Sequence, residues 1–227
     1  MVNALVIGAS GGIGAALSAA LEARGDAVER LSRGSTPALD LADERSIAHA
    51  AAALSDRAPF DLVVLATGIL HGAALRPEKS LREIDGAALD LLFRINATGP
   101  ALVMRHFIPL LARDRRSIFA VLSARVGSIG DNRSGGWVGY RASKAALNQI
   151  VRTVSIELAR TIPQAALVAL HPGTVDTALS APFQRGVAPD KLFSPAISAR
   201  HLLGVLDRLT ASDSGCCLDW AGERITP

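Results

Sequence analysis

The sequence predicts an α/β fold in which helices cover both faces of a doubly wound parallel sheet. Short, continuously apolar runs typical of buried parallel strands alternate with longer runs that have helical spacing. The chain opens with a strand-like run, a glycine-rich turn and an Ala/Leu helix pattern, in that order. At 227 residues the chain fits one core better than two, so we expect one domain over residues 1–227.

Each predicted element is bounded by turn residues. The strand-like runs are Ala4–Ile7, Ala27–Leu31, Leu62–Leu65, Ile118–Leu122 and Leu167–Leu170. The helical runs are Gly12–Arg24, Glu44–Leu54, Gly86–Ala112 and Gly136–Ala159. Two excursions interrupt the alternation, the polar Arg125–Gly136 and the proline-containing Thr177–Pro195. In an open α/β sheet such excursions after strands face the ligand crevice.

Charge and hydropathy exclude several classes of partner. The 24 Lys and Arg residues exceed the 21 Asp and Glu residues by only 3, and no basic run matches a phosphate backbone, so we expect no nucleic-acid partner. Val2–Leu21 carries no charge, but it lacks a basic leading region and glycines interrupt its middle. It therefore indicates strand, turn and helix, and we expect a cytoplasmic protein without a membrane partner.

Cys216 and Cys217 are the only cysteines in the chain. A bridge between neighbouring cysteines closes a minimal loop with strained geometry. The simpler interpretation places their side chains on opposite faces of a late strand, and a vicinal-thiol redox switch is the alternative. No set of His, Cys and carboxylate residues has metal-ligand spacing, so we expect no metal site.

A glycine-rich segment joins the first predicted strand to the first predicted helix, from Gly8 through Ser10, Gly11, Gly12 and Ile13 to Gly14. Glycines allow positive φ angles and a close approach of the backbone to a pyrophosphate. The helix start adds unpaired N–H groups and the positive end of its dipole. The spacing Gly-x-x-x-Gly-x-Gly differs from the general dinucleotide fingerprint. We predict a nucleotide site of the Rossmann type here, with a plain tight turn as the alternative.

Arg33 follows the second predicted strand, about twenty positions after the glycine segment, where a residue contacts the ribose in dinucleotide-binding folds. An acidic side chain there would repel a 2′-phosphate, whereas a guanidinium offers it a planar fork. Glu29 lies inside the strand and is badly placed for this contact. We therefore predict NADP(H) as the cofactor, and a solvated arginine in a turn is the alternative.

Tyr140, the only tyrosine, precedes Lys144 by one helical turn. Residues four apart share a helix face, so the phenol and the ammonium can serve one site. A nearby cation favours the phenolate and so lowers the pKa of a tyrosine. Together the two side chains predict an acid/base centre.

These motifs resemble those of the short-chain dehydrogenase/reductase family nearly from end to end. The family's glycine motif corresponds to Gly8, Gly12 and Gly14, with Ile7 in place of the usual threonine. Its other motifs correspond to the pair Asp40 and Leu41 near the adenine, Asn96 of the catalytic tetrad, Tyr140 with Lys144, and the nicotinamide segment Pro172–Thr177. Residues 123–148 and 171–187 resemble those of small C-factor-like carbonyl reductases.

The chain departs from the family pattern twice. The usual Asn-Asn-Ala-Gly segment reads Leu65-Ala66-Thr67-Gly68, in which only the glycine is retained. The usual Ser-Ser-x-x-Gly segment reads Ser123-Ala124-Arg125-Val126-Gly127, which puts Ala124 at the position of the catalytic serine. We expect Ser123 to supply the hydroxyl, with Ser128 or no serine as alternatives.

The resemblance implies hydride transfer between NADP(H) and a carbonyl or alcohol substrate. Tyr140 would exchange the proton with help from Lys144, Asn96 would hold a water in a proton relay, and Ser123 would hold the substrate oxygen. The implied cofactor contacts are Gly8, Ser10, Gly11, Gly12, Ile13, Gly14, Arg33, Asp40, Leu41, Ala66, Thr67, Gly68, Tyr140, Lys144, Pro172, Gly173, Thr174, Val175 and Thr177. A small-molecule substrate and a homodimer or homotetramer are further implications.

The substrate pocket is expected between segments 125–138 and 178–193. Its apolar candidates are Ile129, Trp137, Leu179, Phe183 and Leu192, and its polar candidates are Arg125, Arg133, Arg185 and Lys191. Solvated loop arginines are the alternative for the polar set.

Two other functions compete with a reductase. One is a C-factor-like signalling or NADP-sensing protein with little turnover, and the other is an epimerase or dehydratase, whose members usually carry a larger C-terminal part.

Overall fold

The computed structural model describes residues 1–73 and 75–227. The strands are β1 (Asn3–Ile7), β2 (Ala27–Leu31), β3 (Leu62–Leu65), β4 (Ser117–Leu122), β5 (Ala165–His171), β6 (Thr174–Val175), β7 (Leu192–Phe193) and β8 (Cys217–Asp219). Six of them form a parallel sheet in the order β2-β1-β3-β4-β5-β8, and β6 pairs with β7 in a separate two-stranded ribbon. The predicted doubly wound parallel sheet is confirmed.

Helices lie on both faces of the sheet. They are α1 (Gly12–Ala23), α2 (Glu44–Ala53), α3 (Gly86–Phe93), α4 (Gly99–Phe107), α5 (Val138–Thr161) and α6 (Pro195–Arg208). Side chains alternate along each strand, so Ala4 and Val6 pack beneath α1 and α6, whereas Leu5 and Ile7 pack beneath α2, α4 and α5. Two apolar layers therefore hold the sheet and fix the ends of its strands.

The helical segment predicted over Gly86–Ala112 is interrupted. Arg94–Thr98 forms a π-helical turn between α3 and α4, and Ile108–Leu110 forms a final 3₁₀ turn. The helix predicted from Gly136 begins instead at Val138, because Gly135, Gly136 and Trp137 all have positive φ. α6 lies outside every predicted helical run, although Ser194 caps it and Pro195 opens it in the usual way.

The run Gly86–Leu110 is long and apolar enough to cross a membrane by length and composition alone. In the fold its residues Leu92, Val103 and Phe107 are buried. Core helices meet the same two criteria, so the run is weak evidence for a membrane span.

Cys216 and Cys217 contact opposite faces of the sheet. Cys216 packs against the layer under α1 and α6, and Cys217 packs against the layer under α4 and α5. This is the arrangement that the simpler interpretation predicted. The two side chains therefore belong to different apolar layers, which disfavours the vicinal-thiol switch.

Candidate active site

The carboxyl ends of β1, β3, β4 and β5 meet at one edge of the sheet, where two cavities lie side by side. The Tyr140 cavity measures about 430 Å³, and the Arg33 cavity measures about 260 Å³. Predicted site residues that line the Tyr140 cavity are Ile13, Ser123, Tyr140, Pro172, Gly173, Thr174, Val175 and Thr177. Those that line the Arg33 cavity are Gly8, Ser10, Gly11, Arg33, Asp40, Leu41, Ala66, Thr67 and Gly68.

The glycine turn lies between the two cavities and leaves no room for a side chain at Gly8, Gly12 or Gly14. Gly8 has a φ of +90°, and a Cβ there would lie 2.5 Å from the carbonyl oxygen of Ala66. A Cβ at Gly14 would lie 2.2 Å from the oxygen of Gly8, and one at Gly12 would lie 2.8 Å from Cγ2 of Thr177. The turn therefore needs glycine for its own packing as well as for any ligand.

The first turn of α1 fits a phosphate group. No side chain caps this helix start, and its first turn contains no acidic residue. Its leading N–H groups and positive dipole end thus remain available beside the two cavities, as in dinucleotide-binding folds.

The Arg33 cavity has the polar groups that the ribose end of a nucleotide requires. Arg33 is exposed and forms no ion pair within the described part of the chain. The carboxylate of Asp40 accepts the N–H of Ala42 at 2.9 Å, which fixes the turn before α2. The hydroxyl of Thr67 is buried without a hydrogen-bond partner among the described residues. Because an unpaired buried hydroxyl is costly, this one is suited to a ligand.

Asn96 lies in the π-helical turn, a geometry that is common at functional sites. Its amide exchanges two 2.9 Å hydrogen bonds with the backbone of Ile69 and also donates to Ser143 Oγ at 3.2 Å. A Cβ at Gly68 would lie 3.3 Å from both Asn96 Oδ1 and Lys144 Nζ. Asn96 thus ties the end of the segment after β3 to α5, next to Lys144.

Tyr140 and Lys144 lie one turn apart on α5, and both are buried. Lys144 Nζ lies 6.0 Å from the centroid of the Tyr140 ring and donates to the carbonyl of Leu122 at 3.0 Å. Burial raises the pKa of Tyr140 to about 12 and lowers the pKa of Lys144 to about 8. The lysine was expected to lower the pKa of Tyr140, but in the structure burial sets the opposite direction.

The pKa of Lys144 predicts how stability depends on pH. Between about pH 8 and 10.5 the folded lysine is neutral while the unfolded one is still protonated, so unfolding takes up a proton and stability rises with pH. From pH 7.5 to 9.5, we expect the unfolding free energy of the cofactor-free wild type to gain about 2 kcal/mol relative to Lys144→Met. Urea titrations of both proteins at the two pH values measure this. Parallel changes in the two proteins would contradict it.

The positions that were weighed for the catalytic hydroxyl differ clearly in the structure. Ser123 lines the Tyr140 cavity, but its hydroxyl donates to Asn148 Oδ1 at 2.7 Å. Ala124 lines the same cavity and packs in one apolar cluster with Tyr140. Ser128 is not among the lining residues, and its hydroxyl accepts the N–H of Asp131 at 3.0 Å.

The segment after β5 forms one wall of the Tyr140 cavity. Gly173 has a φ of +79°, and a Cβ there would lie 2.7 Å from the ring of Phe193. Phe193 contacts the rings of His201 and Trp220 edge-on, with centroids 5.0 and 4.9 Å away. This aromatic cluster holds the turn that begins at Pro172 against the C-terminal part of the fold. Burial and the charge of Arg125 lower the pKa of the neighbouring His171 to about 4.

Both predicted pocket segments line the Tyr140 cavity, but only some of their candidate residues do so. Ile129, Leu192, Arg185 and Lys191 are absent from its lining. The candidates that line it are Trp137, Leu179, Phe183, Arg125 and Arg133. Arg141, which sequence reasoning passed over, also lines it. Its place directly after Tyr140 was the available signal.

Glu78 is a second residue that the sequence reasoning missed. Its side chain is buried, and both carboxylate oxygens lie 3.3 Å from the N–H of Gly139 at the start of α5. Its backbone carbonyl accepts the N–H of Trp137 at 2.6 Å. The carboxylate therefore occupies the positive end of the helix that carries Tyr140. No local sequence pattern predicts the contact between Glu78 and Gly139, which lie 61 positions apart in the chain.

We expect Glu78→Ala to destabilise the protein by about 2 kcal/mol, because it leaves the buried N–H of Gly139 unpaired and removes a favourable charge from a helix start. For a chain of this length the midpoint of thermal unfolding should fall by about 4–8 °C. Glu157→Ala, at an exposed position on the same helix, is the matched control and should leave the midpoint within about 1 °C. An equal effect of the two substitutions would refute the role of Glu78.

Comparison with known proteins identifies the family. The family model described as short chain dehydrogenase matches residues 2–187. The C-signal protein of Myxococcus xanthus is 36% identical over 147 residues, which cover 64% of this chain and 82% of that protein. The 1-hydroxy-2-glutathionyl-2-methyl-3-butene dehydrogenase of Rhodococcus sp. strain AD45 is 30% identical over 95% of each chain. A Burkholderia multivorans protein solved with bound NADP superposes with a TM-score of 0.82 at 28% identity, covering 99% of this chain and 98% of that chain.

The protein belongs to the short-chain dehydrogenase/reductase family and is related to C-signal. The resemblance drawn from the motifs is therefore confirmed. Membership in this family makes the protein an NAD(P)-dependent oxidoreductase.

Proposed function

We propose that the protein transfers a hydride between NADP(H) and a carbonyl or alcohol group of a small molecule held in the Tyr140 cavity. One observation carries this proposal. The phenol of Tyr140 lines a cavity beside the start of α1, the Arg33 cavity lies on the other side of the glycine turn, and Lys144 lies one turn after Tyr140 on α5. The Arg33 cavity would hold the adenosine end of a dinucleotide and the Tyr140 cavity its nicotinamide end. A substrate in the Tyr140 cavity would contact the phenol.

The chain's own residues supply the proton chemistry. Because burial raises the pKa of Tyr140 to about 12, the phenol keeps its proton at neutral pH and can donate it to a substrate oxygen. Lys144, whose pKa burial lowers to about 8, lies close enough to replace that proton through a bridging group. Asn96 holds the backbone of Ile69 beside the lysine. NADPH, when bound, supplies the hydride.

The proposed cofactor contacts divide between the two cavities. The residues of the Arg33 cavity would hold the adenosine end, with the 2′-phosphate at Arg33. The start of α1 would hold the pyrophosphate, and residues Pro172–Thr177 would hold the nicotinamide. The Burkholderia multivorans relative was solved with bound NADP and the Rhodococcus relative is named as a dehydrogenase, which supports both the cofactor and the reaction class.

The substrate oxygen needs a hydrogen-bond donor besides Tyr140, and we propose the hydroxyl of Ser123 after it turns away from Asn148. Ser123→Ala should then lower kcat by about tenfold to hundredfold. Ala124→Ser in that background should restore turnover, because it places a hydroxyl in the apolar cluster that contains Tyr140. Steady-state kinetics of both variants test this. Unchanged kcat in Ser123→Ala would show that no hydroxyl at this position takes part.

Ala124 and the relationship to C-signal favour a second candidate, a signalling or NADP-sensing protein with little turnover. NADPH oxidation with a panel of aromatic and aliphatic carbonyl compounds, together with thermal stabilisation by NADPH, separates the two functions. A reductase shows stabilisation and turnover. Stabilisation without turnover across the panel would support the sensor. The absence of both stabilisation and turnover would refute both candidates.

We also propose that copies of this chain assemble into a homodimer or homotetramer. Large apolar side chains are exposed on the helices of one face, namely Leu91 and Phe93 on α3 and Ile156 on α5. Burial of such side chains against a second copy would remove them from water.

A further inference from the structure

The lining of the Tyr140 cavity combines two kinds of side chain. Its apolar and aromatic members are Leu70, Trp137, Leu179, Phe183 and Val187. It also contains three arginines, Arg125, Arg133 and Arg141. Asp131 is the one acidic residue among the described lining residues. A substrate that matches this lining needs an apolar body and a group of negative charge.

The positive charge of Arg125 is already compensated. Its Nη2 lies 3.0 Å from Oδ2 of Asp219, and its Nη1 lies 3.2 Å from Oδ2 of Asp131. Asp219 is itself held by the N–H groups of Ala221 and Glu223. These contacts also engage the one carboxylate that faces the cavity, so Asp131 and Arg125 form a fixed part of the rim.

Arg141 differs because only neutral groups hold it. Its Nε donates to the carbonyl of Gly136 at 3.0 Å and its Nη1 donates to the carbonyl of Val126 at 3.4 Å. Neither contact neutralises the charge, and no carboxylate in the described part of the chain forms an ion pair with Arg141. The two carbonyls orient the guanidinium at the cavity wall directly after Tyr140, so little side-chain freedom is lost when it binds an anion.

Arg133 adds a second uncompensated charge at the mouth of the cavity. It is exposed on the loop before Gly135 and forms no ion pair with the residues that the structure describes. Two guanidinium groups with open positions can bind the two oxygens of one carboxylate through charge-assisted hydrogen bonds. The partly enclosed cavity strengthens that attraction relative to open water.

We propose that Arg141 and Arg133 form an anion subsite, and that the substrate is an aldehyde or ketone that carries a carboxylate. The apolar body would lie against Trp137 and Phe183, with its carbonyl oxygen at Tyr140. This inference rests on the proposed reductase function, since it places the substrate carbonyl at Tyr140. The subsite selects among carbonyl compounds and takes no part in hydride transfer.

A matched pair of substrates tests the subsite. We would compare kcat/KM with NADPH for 4-carboxybenzaldehyde and for its methyl ester, which share ring and aldehyde but differ in charge. Wild-type protein should favour the acid by about tenfold or more. Arg141→Gln and Arg133→Gln should each lower the acid-to-ester ratio about tenfold, and the ratio cancels any general loss of activity. Arg185→Gln, outside the cavity lining, should leave the ratio unchanged.

Two outcomes would overturn the subsite while leaving the proposed function intact. One is a wild-type preference for the ester, and the other is an acid-to-ester ratio that Arg141→Gln and Arg133→Gln do not change.

If neither aldehyde is reduced, calorimetry of 4-(hydroxymethyl)benzoate with the protein–NADP⁺ complex tests the subsite without turnover. Saturable binding that Arg141→Gln weakens about tenfold supports the subsite. Absence of binding in the wild-type complex overturns it.

Discussion

Tyr140→Phe should lower kcat by about a hundredfold to ten-thousandfold while leaving NADPH affinity nearly unchanged. The phenol is the proposed proton donor, and it keeps its proton at neutral pH because burial raises its pKa to about 12. Removing the hydroxyl leaves the ring to pack with Leu70 and Leu92 in the same cluster. The loss should therefore fall on proton transfer and not on folding. NADPH oxidation with a carbonyl substrate measures it.

Two controls keep this result interpretable. The thermal unfolding midpoint of Tyr140→Phe should stay within about 2 °C of wild type, and NADPH should stabilise both proteins equally. Turnover within twofold of wild type would refute the assignment of Tyr140 as the proton donor. A variant that no longer binds NADPH would show that the phenol serves the cofactor site instead.

Arg33→Glu should lower kcat/KM for NADPH by about a hundredfold and leave kcat/KM for NADH unchanged or higher. The substitution removes the charge-assisted hydrogen bonds that a guanidinium makes to a 2′-phosphate and adds a carboxylate that repels it. A carboxylate at this position also suits the free 2′-hydroxyl of NADH. Steady-state kinetics with both cofactors give the ratio directly.

Arg82→Glu is the matched control, since Arg82 is exposed in the 3₁₀ turn Leu81–Glu83 and lies outside both cavities. It makes the same charge change and should not alter the NADPH-to-NADH ratio. A wild-type protein that uses both cofactors equally, with no change in Arg33→Glu, would contradict the proposed preference for NADP(H).

Local patterns were sufficient for much of the fold. The runs at Ala27–Leu31 and Leu62–Leu65 are strands with the predicted bounds. Leu62–Leu65 is buried throughout, which leaves few alternatives for a short aliphatic run, whereas Ala27–Leu31 is a partly exposed strand at the edge of the sheet. The π-helical turn that carries Asn96 could not be predicted in this way. Nothing in Arg94–Thr98 distinguishes a π-helical turn from regular helix by periodicity. In the structure the turn is defined by backbone hydrogen bonds such as the one that Gly99 N–H donates to the carbonyl of Arg94, and it carries the Asn96 amide that bonds the backbone of Ile69.

The short-range parts of the site were likewise predictable. The glycines of the first turn and the spacing of Tyr140 and Lys144 are set by turn and helix geometry within a few residues. The choice among Ser123, Ala124 and Ser128 was not, because it depends on which side chain α5 presents to the end of β4. Asn148 of α5 accepts the Ser123 hydroxyl, and that contact spans 25 positions.

Sequence patterns were enough to predict the class of fold, the glycine turn, the placement of Tyr140 and Lys144 on one helix face, and the family. Two contacts became apparent only in the folded chain: Glu78 lies under the start of α5, and Arg141 rather than Arg185 or Lys191 lines the Tyr140 cavity. The difference follows from the range of the interactions. Turn and helix geometry acts between near neighbours in the chain, whereas these contacts depend on how distant segments pack at the carboxyl edge of the sheet.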